Sequence, residues 1–374
     1  MITSLDDYLI HQTAEPVSQP SQSDRNFYDR YWFNGFDTAG TFIFEAAFGL
    51  YPNRRVMDAH FSIVLGGKQY ALHASCRAPR DRLHMQVGPM TITVLEPMHR
   101  IRVAVNDNET GIACELIFNA RTAAHQEPQN VLREDNRLLM NTCRFTQFGR
   151  WEGWVTVDNQ RVMVSSESCY GTRDKSWGVR PLGEPEGGAP GLVNKEPSVY
   201  WNWTPVHFKN FCMHYNTFQN PDGTPSQVGA ARLPVFDDVK KIPIGEEPGL
   251  ELINHAHHRM DWQQGTRWAK GETIIFPREH GDDTLTMEPI LRMQMYALGY
   301  QHPEWGHGFW KGETALARED FDLATLDPLD YRHIHVHQVC RARMGDEEGI
   351  GTLETVVFGR HDPSGFKSIL DGAA

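Results

Sequence analysis

From Phe27 onward, nearly every stretch of this chain is patterned for extended backbone, and turn residues interrupt the pattern at short intervals. That succession constrains the fold more than any other feature. Residues 41–48 run into the turn Tyr51-Pro52-Asn53. Residues 57–65 and 69–74 flank Gly66-Gly67, a strong hairpin signal because the central residues of such a turn need positive φ. Residues 90–95 alternate apolar and polar, 101–105 and 112–118 flank a polar turn, and 151–157 pair with 161–165 across Asp158-Asn159. The series resumes with 198–203, 208–217, 226–233, 250–260, 273–277, 284–297, 308–315, 333–344 and 349–358. Residues 129–140 are the best helical candidate in the first half. So many strands with so little helix predict an antiparallel all-β chain, closed or stacked to protect its edges as barrels or sandwiches.

A length of 374 residues accommodates two such units. Residues 1–25 are polar, carry Pro16 and Pro20, and read as an N-terminal arm. A first β domain is expected over 26–182, a Gly-, Pro- and Glu-rich crossover over 183–197, and a second β domain over 198–374. The formal net charge of -12 argues against nucleic acid and anionic membrane surfaces as partners. No apolar run reaches the length of a membrane span, the first residues lack a secretory pattern, and the six cysteines contain no Cys-x-x-Cys pair. A cytoplasmic location is the simplest expectation. A homodimer remains open.

The chemistry concentrates in Cys169-Tyr170-Gly171-Thr172-Arg173-Asp174-Lys175-Ser176-Trp177-Gly178-Val179-Arg180. A solvated loop would use small polar residues here, and a core strand would not carry Arg-Asp-Lys. In a strand, Arg173, Lys175 and Trp177 share one face while Asp174 and Ser176 share the other, which separates the carboxylate from its neighbouring cations. Residues 171–178, followed by Tyr200-Trp201-Asn202-Trp203, resemble the signature of the AttH-like and carotenoid 1,2-hydratase superfamily, in which an Asp-x-x-Trp-Gly turn precedes a Trp-x-Trp strand. Residues 302–313, 349–354, 87–90 and 95–97 are similar to an uncharacterised bacterial branch of it. The resemblance implies two lipocalin-like antiparallel β-barrel or sandwich domains in tandem, with Asp174 where hydratases keep their catalytic acid. Carotenoid hydratases carry His around this Asp; this chain has Arg173 and Lys175, which points away from a carotenoid.

A carboxyl in an apolar surrounding has a raised pKa and can donate a proton near neutrality, whereas one paired with Arg173 or Arg180 would be a poor acid. Both readings of Asp174 stand at this point. Trp177, Trp201 and Trp203 offer faces for a developing cation, and His307 and Tyr200 are candidates to assist Asp174. Arg173, Lys175, His214, Trp305, Glu313 and His335 complete the expected substrate contacts. His333, His335 and His337 alternate, but three ligands from one strand stand parallel rather than converge, so pocket lining is expected and no metal. Neither a Gly-x-Ser-x-Gly elbow, a phosphate loop nor a dinucleotide fingerprint is present, and no cofactor is expected. The expectation is a cofactor-independent lyase, hydratase or isomerase for a hydrophobic terpenoid, polycyclic or aromatic molecule, a retro-aldol C–C cleavage included. The rival is a carrier that binds such a ligand unchanged.

Overall fold

The computed structural model describes residues 2–134, 136–182, 197–245, 248–279 and 281–374. Of the expected crossover, 183–196 lie outside the described residues. The chain is all-β, with only short 3-10 turns such as Ser4–Asp7 and Met295–Leu298 and no α-helix among the described residues. Among the described residues no helix is long and apolar enough to cross a membrane.

Two antiparallel sheets form. The first is nearly closed on itself and the second curves as a half-barrel. In the first, the order runs Thr314–Asp322, Lys68–Arg77, Val56–Leu65, Phe42–Tyr51, Phe27–Asp37, Cys169–Val179, Arg137–Val157 and Ile112–Ala120, and then out to Gln86–Val87. In the second, Phe211–Gln219, Val199–His207, Glu347–Phe358 and Val336–Met344 are adjacent. The Thr314–Asp322 strand is a late addition to the first sheet, paired along its whole length with Lys68–Arg77.

Alternation along each strand divides the side chains between two environments. Phe33, Phe44, Phe61, Leu116, Phe118 and Trp151 fill the interior of the first sheet with packed apolar volume. The other face of the same strands presents Trp32, Phe36, Ile43 and Ala47 to Trp201, Trp203, Val339 and Ile350 of the second sheet. The sequence placed a ligand cavity inside the barrels. In the first sheet that space is occupied by side chains, and the polar groups lie in the seam between the sheets instead.

Three local expectations are corrected. Residues 129–140 form a hairpin, with Asn130–Glu134 paired to the start of Arg137–Val157, rather than a helix. Val131 and Leu132 are exposed there, so a helix would have found nothing against which to bury its apolar stripe. Residues 308–313 are not strand; positive φ at Gly308 (73°) and Gly312 (115°) breaks the extension until Thr314. The Val336–Met344 strand begins after His333, whose Nδ1 lies 2.8 Å from the Asp327 carbonyl, so the three alternating histidines do not share one strand.

Candidate active site

Asp174 sits in the seam. Its cross-strand partners are Trp32 on one side and Thr146 on the other, and these share its face of the sheet. Arg144, two residues before Thr146, carries its guanidinium 5.1 Å over the Trp201 ring and 3.5 Å from the Glu127 carboxylate. Glu127 is buried and accepts hydrogen bonds from Thr146 Oγ1 (2.5 Å), Trp203 Nε1 (3.1 Å) and Asn216 Nδ2 (2.6 Å). Burial alone would raise its pKa, but Arg144, His214 and these donors hold it below the usual carboxylate value. Glu127 is therefore a fixed anion.

Asp174 is the opposite case. Burial pushes its carboxyl up to about 6; Arg144 pulls it down, while the Glu127 and Glu354 charges push the same way as burial. The residue as a whole nonetheless keeps part of its surface accessible. Two carboxyls on one face thus titrate apart, one ionised and one able to hold a proton near neutrality. The pairing with Arg173 that would have made Asp174 a poor acid does not form. Arg173 points into the first sheet's interior, where Nε donates to Gln147 Oε1 (2.9 Å) and the guanidinium lies 5.0 Å over Phe145. Lys175 also points to that face, paired with Asp29 and lying over Tyr31, and burial lowers its pKa to about 8.

Aromatic rings wall the seam. Trp32 meets Trp203 edge-on at 5.5 Å and lies 5.2 Å from the His337 ring. His337 is bonded through Nδ1 to Glu45, and both side chains are fully buried. His335 Nε2 is 2.8 Å from Glu354, and its ring packs 4.7 Å from Tyr300. Tyr300 in turn accepts from Arg30 Nη1 (2.8 Å) and, with His307 and Arg180, lines a cavity of about 840 Å³.

His307 lies at this end of the seam. Arg180 Nη2 lies 3.1 Å from Nδ1, and Nε2 lies 2.8 Å from the Leu298 carbonyl and 2.9 Å from Arg30 Nη2. Burial and the adjacent guanidinium groups push its pKa well below the ordinary value. With both nitrogens engaged, the ring holds Arg180 in place and has no free lone pair.

The structure thus gathers Asp174, Trp201, Trp203, His214 and His335 around one seam, with His307 at its end. His214 is fully buried, its Nε2 3.8 Å from Glu127. Tyr200 is elsewhere: it lies on the opposite face of its strand, bonded to His258 Nε2 (2.6 Å) and stacked on His361 at 4.1 Å. Glu313 is exposed and paired with Arg77. Trp177 is partly exposed, 39%. Trp305 stacks on His73 at 5.7 Å. Sequence reasoning missed Trp32, Arg144, Glu127, Glu45 and Glu354. Glu45 carried a signal, being a lone acid inside the apolar run Phe42-Ile43-Phe44-Glu45-Ala46-Ala47-Phe48. Arg144 and Glu127 had none, because only the strand pairing brings them to Asp174.

Comparison with known proteins places the chain. A family of unknown function, DUF8625, matches residues 2–367. The chain belongs to this family. No curated protein matches it in sequence. Among solved structures, a protein assigned as AttH from Nitrosomonas europaea superposes with a TM-score of 0.53 at 12% identity, covering 93% of this chain and 98% of that one. Kievitone hydratase from Nectria haematococca gives 0.52 at 11% identity, with 88% of each chain covered. CghA, solved with Sch210972, gives 0.50 at 9%, with 89% of each covered. These neighbours are of the AttH-like, lipocalin-like group, and at such identities the likeness establishes the fold.

Proposed function

We propose that this family member is a lyase of the hydratase type, adding water to or removing it from a hydrophobic small molecule in the seam, with Asp174 as the proton donor. The observation that carries the reading is the Asp174 carboxyl, pushed up to about 6 and set beside Trp32 in a partly accessible residue. Protonation of an alkene carbon by Asp174 leaves a cation on the substrate, and indole faces attract such a cation by ~0.5–2 kcal/mol each. Water then attacks the cation, and the proton it loses returns to the Asp174 carboxylate, which restores the acid. Until then the carboxylate feels the Arg144 charge, which favours its ionised form. Glu127, already anchored by Thr146, Trp203 and Asn216, keeps Arg144 in position rather than moving protons itself. That one neighbour is a hydratase by name agrees with this reading.

The test compares the wild-type chain with Asp174→Asn, each incubated with a cellular metabolite extract and profiled by mass spectrometry. The expected result is a compound gaining or losing 18 mass units with wild type and unchanged with the variant. A ligand retained unaltered by both proteins would make the seam a carrier site.

A further inference from the structure

At the end of the seam away from Tyr300 and His307, residues of both sheets line a cavity of about 780 Å³ that no step above uses. We propose that this cavity is a second ligand site, built for a compact polyanion (a phosphate ester or a polycarboxylate) clamped between the sheets by Arg150, Lys209 and Arg341. Arg150 and Tyr170 belong to the first sheet. Lys209 follows Val199–His207, and Arg341 and Arg343 lie on Val336–Met344, both in the second. Tyr170 stands four residues before Asp174 on Cys169–Val179, about 13 Å along an extended strand, so the site is separate from the proposed proton donor.

Charge marks the cavity out. The chain carries a net charge of -12, yet Arg150, Lys209, Arg341 and Arg343 line this space against only Glu288 and Glu348. Arg121, 7% exposed, adds a fifth cation behind the wall. Its guanidinium lies 3.1 Å from His207 Nδ1 and donates to the Phe208 and Lys209 carbonyls, both at 3.2 Å. Among the described residues none of these five cations is ion-paired with a carboxylate. Glu288 and Glu348 stand across the strand pairs from Arg341 and Arg343 without closing on them.

A guanidinium withdrawn from water calls for a counter-charge. Arg150 has only neutral partners: it donates to the Tyr170 hydroxyl (3.0 Å) and the Ser166 carbonyl (3.3 Å), and its Nε is buried without a partner. Arg121 and Arg150 both pack against the Tyr170 ring, at 5.0 and 4.9 Å, which limits their movement. Their field reaches His207 on the cavity wall, where burial, and after it the Arg121 and Arg150 charges, hold the ring well below its ordinary pKa. One fixed guanidinium, a second behind it and three exposed cationic arms suit an anion of more than one charge. Guanidinium forks take carboxylate and phosphate oxygens in pairs, and a lysine adds a point charge. The volume is that of an ordinary small-molecule site.

Isothermal titration of the full chain at low ionic strength, with pyrophosphate and citrate as the probes, tests the site. One equivalent of at least one anion should bind with a dissociation constant below ~1 mM and raise the melting temperature. Tighter pyrophosphate binding assigns a phosphate ester and tighter citrate binding a polycarboxylate; either supports the site. Lys209 and Arg341 are exposed and unpaired, so their replacement leaves the fold intact. Lys209→Gln and Arg341→Gln should each weaken binding by about fivefold or more, and Glu288→Gln should tighten it. Lys367→Gln, exposed beside Phe366 in the cluster that holds Tyr200, should change nothing. Binding of neither anion at ~5 mM would overturn the proposal. So would binding indifferent to Lys209→Gln and Arg341→Gln, or weakened equally by Lys367→Gln, because the anion would then sit elsewhere or respond only to overall charge.

Discussion

Side chains in the central motif divide sharply by task at the residue scale. Its glycines serve packing. A Cβ on Gly171 would lie 2.1 Å from the Asn34 carbonyl oxygen, to which Trp151 Nε1 already donates. A Cβ on Gly178, at φ 127°, would lie 2.1 Å from the Asn141 oxygen. Asp174, the proposed proton donor, costs stability to keep. Its folded pKa, about 6, stands above the model-compound 3.8, so its favourable contribution is complete below about 4 and is lost as pH rises through about 6. Asparagine mimics the protonated form and escapes that loss. Asp174→Asn should therefore stabilise the fold at pH 8 by ~3 kcal/mol and gain little at pH 4. Urea unfolding at the two pH values measures the difference. An equal effect at both would mean that Asp174 stays ionised and is no acid.

At the scale of strands and sheets, polar bridges tie the seam, and in the Glu45–His337 pair both side chains are fully buried. Glu45 belongs to Phe42–Tyr51 and His337 to Val336–Met344, so the pair joins one sheet to the other. Removing one member strands the other without solvent. His337→Leu should destabilise by about 3–5 kcal/mol, and the double replacement Glu45→Leu with His337→Leu by clearly less. A double-mutant cycle in urea reads the coupling, and additive losses would show that the pair is not a unit. The sequence conveyed the strands well because their period is local: Gly66-Gly67 sits in the turn between Val56–Leu65 and Lys68–Arg77, as its residues required. It also separated Asp174 from Arg173 and Lys175 correctly, since alternation needs no partner. It could not say that the Asp174 face would meet a second sheet rather than a barrel interior. Nor could it find Arg144, which reaches Asp174 only through the register of Arg137–Val157, or detach Tyr200 from a Trp-x-Trp strand whose odd and even residues enter different cores.

Across the whole molecule, buried ionisable groups pull stability in opposite directions. Burial raises Asp58 and Asp174 to about 6 and Glu272 to about 7, and each of these favours the folded state less as pH climbs through those values. Burial lowers His214 and His361 to about 4 and His258 to about 3, and it takes His207 and His307 well below their ordinary 6.5. These rings stay neutral in the fold while the unfolded chain binds protons, so their contribution is present above 6.5 and is lost as pH falls. Between pH 7 and 5 the two sets oppose each other. The histidines outnumber the carboxyls, and their folded pKa values lie well below this window, so each gives up stability across its whole width. The carboxyls protonate inside the window and offset only part of that. The melting temperature should therefore fall from pH 7 to pH 5, with the protein taking up fewer protons when folded than when unfolded. Thermal melts at pH 7, 6 and 5 at constant ionic strength decide the balance. A rise toward pH 5 would mean that the carboxyls dominate, and that the histidines sit in surroundings far better solvated than their enclosure implies.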